Sequence, residues 1–83
     1  MIQLTEGMIL YYHTEDKGDK DFYYKILRVY DNEILDYKVH EHLKEVDGQR
    51  LCQAQVSDFA DTINKGAMTV MKPKVDWKLR LEE

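Results

Sequence analysis

Hydrophobic and polar positions alternate with a period of two between Phe22 and Val56, and the rest of the chain is read around that stretch. β-Branched and aromatic residues fill three runs there. The breaks between them, Asp31-Asn32 and Asp47-Gly48, consist of residues that tolerate positive φ. The pattern predicts three antiparallel strands joined by two-residue hairpin loops.

Those loops fix a register that can be checked for sense, because a slip of one residue would send every side chain to the other face. Around Asp47-Gly48 the register opposes Glu45 with Arg50, Leu43 with Cys52, Glu41 with Ala54 and Val39 with Val56. Around Asp31-Asn32 it opposes Arg28 with Leu35, Ile26 with Tyr37, Tyr24 with Val39 and Phe22 with Glu41. Both turns place Phe22, Tyr24, Ile26, Leu35, Tyr37, Val39, Leu43, Cys52, Ala54 and Val56 on one face, which is the expected core. The opposite face is mixed, with Tyr23, Leu27, Val29, Asp36, His40 and His42 among its members. One conflict lies there: Lys25 falls opposite Lys38, and like charges directly opposed are mildly destabilising.

The flanks add shorter elements. Met1 to Thr14 predicts a first strand with apolar residues on both faces and a bend at Glu6-Gly7. Glu15 to Asp21 is a charged loop around Gly18; it lacks the ligand spacing of a calcium loop and reads as a solvated hairpin tip. Ser57 as N-cap and Gly66 as stop bracket a short helix with a stripe of Phe59, Ala60 and Ile63, in which Phe59 is the expected anchor onto the sheet. Ala67 to Met71 and Val75 to Leu81 predict final strands separated at Lys72-Pro73.

The elements imply one β-rich domain over residues 1–83. It is either a small, partly open antiparallel barrel or a five-to-six-stranded meander with one short helix before the last strand. The alternative is an α+β open antiparallel sheet with the helix on one face. The order of elements resembles that of small barrels of the Src-homology and Tudor kind, without a motif diagnostic of any one family.

Composition narrows the function classes. A net charge of -4 disfavours nucleic acid, whose affinity for proteins derives mostly from lysine and arginine. The single cysteine cannot form an internal disulfide, and no apolar run approaches the roughly 20 residues of a membrane helix. With no leader visible, a cytoplasmic protein without membrane attachment is expected.

Candidate chemistry is sparse. A Cys52 nucleophile with His40 or His42 as base is opposed by the register, which puts the cysteine and the histidines on different faces. Carboxylate pairs, glycine-rich phosphate loops and serine triads are not recognisable, so no enzyme and no cofactor are expected. His40 and His42, with Asp21 opposite, form a candidate metal set, and His13 would join them if odd residues of the first strand share their face. Tyr11, Tyr12, Tyr23 and Tyr24 form two adjacent pairs, so alternation sends one member of each outward; Tyr11 and Tyr23 would then lie near His40 and Lys25 as an amphipathic binding patch. The leading expectation is a noncatalytic module that binds a protein or a second copy of itself through Tyr11, Tyr23, Lys25 and His40. Metal binding through Asp21, His40 and His42, and acidic inhibition of a basic enzyme, are the alternatives.

Overall fold

A computed structural model describes residues 3–15 and 18–71. The expected strand Val75 to Leu81 and the break at Lys72-Pro73 lie outside the described residues. Five strands, β1 (Ile9–Thr14), β2 (Lys20–Tyr30), β3 (Ile34–His40), β4 (Cys52–Gln55) and β5 (Met68–Met71), are joined by a 3₁₀ helix (Leu43–Gly48) after β3 and an α-helix, α1 (Val56–Asn64), after β4. All neighbours are antiparallel in the order β4-β3-β2-β1-β5, so the chain runs as a meander and α1 carries it from one sheet edge to the other. Over the described residues the sheet is open and does not close into a barrel.

The predicted core face is the one α1 covers. Leu10, Ile26 and Leu35 are fully buried, and Leu4, Phe59 and Met68 complete the cluster, with Tyr12, Tyr24, Tyr37, Ala54 and Val56 packed against it. Phe59 anchors α1 as expected. Its ring meets Tyr24 at 5.5 Å and 88°, edge against face, and Tyr37 at 5.2 Å in a tilted contact of 57°. The helix ends in a Schellman motif: Gly66 takes a φ of 82°, its amide donates to Ile63, and the Ala67 amide donates to Thr62. At the other end Gln55, not Ser57, is the N-cap, and its side chain makes no capping bond. The first amide of α1 is instead satisfied from the β2–β3 turn, where Val56 N–H donates to the Glu33 carbonyl at 2.8 Å.

That turn departs from the simple count in an instructive way. Asp31 and Asn32 both adopt positive φ, as a primed turn requires, yet pairing resumes at Tyr30 with Ile34, leaving Glu33 as an additional loop residue. A bulge at Leu27 then adds one residue to β2, which cancels the offset, so Ile26–Tyr37, Tyr24–Val39 and Tyr23–His40 pair as predicted. Between the two irregularities the faces are exchanged: Val29 rather than Arg28 opposes Leu35 and packs on the core.

The second hairpin is not formed. Neither Asp47 nor Gly48 takes a positive φ, and residues 43–48 coil into the 3₁₀ helix instead. Cys52 consequently pairs with Tyr37 rather than Leu43, and Ala54 with Leu35 rather than Glu41. The displacement is even, so Cys52 and Ala54 keep the core face while Leu43 is expelled to the surface. The 3₁₀ helix packs against β2 and β3 on the side opposite α1 and buries Val46 there. It also resolves the Lys25–Lys38 conflict, since Lys25 Nζ donates to the Asp47 carboxylate at 2.9 Å and Lys38 Nζ to the Asp47 carbonyl at 2.8 Å. Lys25 holds the Asp47 carboxyl below its usual range.

Asp36, expected on the mixed face, is buried. Its Oδ2 accepts from the Tyr30 hydroxyl at 2.7 Å. Its Oδ1 has no hydrogen-bond partner among the described residues.

Candidate functional site

The outer face of β1 and β2 carries the candidate residues. Cross-strand pairing sets Tyr11 against Tyr23 and Tyr23 against His40, so the three share one row across β1, β2 and β3. The tyrosine doublets divide as alternation requires: Tyr12 and Tyr24 pack on the core, while the Tyr11 and Tyr23 rings contact each other outside at 5.5 Å and 45°. Among the described residues, the 3₁₀ helix is the one element packed on this side of the sheet.

At the adjoining end of β1–β2 the sheet register brings His13 opposite Asp21. Asp21 Oδ1 accepts from the Tyr11 hydroxyl at 2.7 Å and lies 2.7 Å from His13 Nδ1, while His13 Nε2 is 3.7 Å from Asp19. The bond to Asp21 raises the pKa of His13, and the bonds from His13 and then Tyr11 depress that of Asp21. Tyr11 is raised by the same carboxylate.

These shifts fix a pH window. The contribution of His13 is complete below its unfolded pKa of about 6.5 and is lost as pH rises through the higher folded value. That of Asp21 is present above about pH 4 and is lost as pH falls through its lower folded value. The β1–β2 hairpin should therefore be most stable between roughly pH 4 and 6.5. Thermal melts compared at mildly acidic and mildly alkaline pH check this: the wild type should melt lower on the alkaline side, and His13→Gln should remove most of the difference.

Beside Tyr23 the surface dips into an open depression of about 760 Å³ between the start of β2, the beginning of the 3₁₀ helix and the end of β5. Tyr23, Leu43 and Met71 supply apolar lining, and Asp19, Lys20, Asp21, Glu41 and Lys44 supply charge of both signs. Leu43 and Met71 were not among the sequence candidates. The predicted second hairpin puts Leu43 in the core, and the place of Met71 depends on β5 pairing with β1, which no local pattern reveals.

The expected patch is thus partly assembled. Tyr11, Tyr23 and His40 come together, whereas Lys25, on the same face, is tied to Asp47. The proposed metal set is not assembled: Asp21 engages Tyr11 and His13 rather than His42. His42 lies beyond the end of β3, with its ring 5.6 Å from that of His40 and its backbone N–H donating to His40 Nδ1 at 2.9 Å. That bond occupies one nitrogen lone pair of His40. Among the described residues no group of three or more His, Cys, Asp or Glu side chains could hold a metal ion.

Cys52 shares the face of Tyr37, and His40 that of Tyr23, so the cysteine and this histidine lie on opposite sides of the sheet, as expected. Cys52 is half-buried. Among the described residues no helix is long and apolar enough to cross a membrane. No family model matches the chain, and neither does any curated protein or solved structure. The fold and surface define a small open-faced antiparallel β domain.

Proposed function

We propose that this chain is a noncatalytic, cytoplasmic protein-binding module that engages its partner through the outer face of β1 and β2. The carrying observation is the Tyr11–Tyr23 ring pair beside the depression, on the side of the sheet away from α1. Tyrosine is favoured at interfaces because a rigid ring offers large contact area at low entropic cost, with a hydroxyl for a polar partner. Here Asp21 orients one of the two hydroxyls in advance, which lowers the ordering cost of association. The net charge of -4 supports a protein partner over nucleic acid.

Tyr23→Ser tests the reading. It should abolish retention of a partner, or self-association, while leaving the melting temperature close to that of the wild type. A loss of stability equal to the loss of binding would place Tyr23 in the core. Undiminished binding would move the interface elsewhere.

A further inference from the structure

We infer that the partner of the depression beside Tyr23 is a second copy of this chain, docked about a two-fold axis. This rests on the protein-binding reading and names its partner. A two-fold contact presents one patch to itself, so its charged groups must include both signs; a border of one sign would repel its own image. The depression meets that condition. Tyr23, Leu43 and Met71 provide apolar contact, and around them stand three carboxylates, Asp19, Asp21 and Glu41, and two ammonium groups, Lys20 and Lys44. A foreign partner of strongly basic character would be matched by carboxylates alone, and Lys20 and Lys44 would oppose it.

The placement of these groups strengthens the point. Lys20 and Asp21 come from the start of β2, Glu41 and Lys44 from the chain on either side of the 3₁₀ helix start, so each flank of the depression carries both signs. A copy rotated by half a turn can bring an ammonium on one flank against a carboxylate on the other. The apolar centre is reinforced by Leu43, one of the few large hydrophobic residues left exposed among the described residues, which would be covered in the dimer. A chain of this size buries a smaller share of its surface than larger domains do, so covering that centre adds burial that the monomer lacks.

Sedimentation velocity over a range of concentrations, with two charge variants, tests the inference. Lys20→Glu with Lys44→Glu makes the border wholly acidic. Asp19→Asn with Glu41→Lys makes it predominantly basic, asparagine being chosen because Asp19 sits at a φ of 43° that it tolerates. All four positions are exposed, so both variants should melt like the wild type. Wild type should dimerise, each variant alone should dimerise at least about tenfold more weakly, and an equimolar mixture should recover a heterodimer. Dilution of the wild type should also move the NMR signals of Tyr23, Leu43 and Met71 most.

Wild type that stays monomeric throughout overturns the inference but not the protein-binding reading, which Tyr23→Ser tests with a foreign partner. A dimer indifferent to both variants, with dilution shifts elsewhere, also overturns it, because self-association would then use another surface.

Discussion

Replacing Phe59 with alanine should lower the thermal midpoint by about 12 °C or more, since truncating a buried aromatic side chain to alanine costs roughly 3–5 kcal/mol and each kcal/mol moves a domain of this size by about 4–8 °C. Phe59 is only 7% exposed and is the one buried residue of α1. Its ring touches both Tyr24 and Tyr37, so truncation empties the space between helix and sheet rather than a site that can collapse. A nine-residue helix is too short to persist without such an anchor. The phenols give an independent readout. Burial raises the pKa of Tyr24 and of Tyr37, and both should fall towards 10 when the ring is removed. Phe59→Leu should retain much of the stability. An alanine variant with the wild-type midpoint and unchanged tyrosine titration would mean that α1 is held by other contacts.

The sheet and its covered face were legible because period-two alternation survives most local irregularities. Two turns predicted from Asp31-Asn32 and Asp47-Gly48 gave one face, although only the first is a hairpin turn. The even displacement of β4 preserved the faces of Cys52 and Ala54 despite the wrong partners. The Leu27 bulge was not legible. It has no local signature: it offsets the extra loop residue Glu33, whose carbonyl is engaged by the first amide of α1. The 3₁₀ helix was hidden for a related reason: Asp-Gly is the strongest short hairpin signal, but Val46 burial and the two lysines that reach Asp47 favour a coil packed on the sheet. Lys25 opposite Lys38 was the visible sign that something anionic had to lie between them.

For the candidate site, alternation within Tyr11-Tyr12 and Tyr23-Tyr24 correctly divided inward from outward rings. From the sequence alone His13 is only a conditional neighbour, because its position depends on the pairing of β1 with β2. That pairing gives Asp21 to His13 and Tyr11 and thereby withdraws it from His42. The depression itself joins residues from three distant stretches of chain, with Met71 reaching it through the return of β5 to β1. Such non-local placement leaves no mark on hydrophobic periodicity.

Replacing Val46 with aspartate should have the second large effect, about 3 kcal/mol, and a different character. Val46 is 1% exposed but lies outside the main core cluster, on the side of the sheet opposite α1. Its removal forfeits about 2 kcal/mol of apolar burial, and the introduced carboxylate must be hydrated, which the 3₁₀ helix can accomplish only by lifting from β2 and β3. Local release limits the total cost, because the sheet and α1 remain packed without it. Once the segment lifts, Lys25 and Lys38 lose Asp47 and face each other across the strands, so stability should become more sensitive to salt. Hydrogen exchange should locate the opening at the amides of Glu45 and Gln49, which donate to His42 and Val46 in the closed segment, while the amides of β1 keep their protection. Leu43 and Lys44 move with the segment, and association through the depression should weaken in step. Uniform loss of protection across the sheet would show instead that the 3₁₀ helix and the core unfold as one unit.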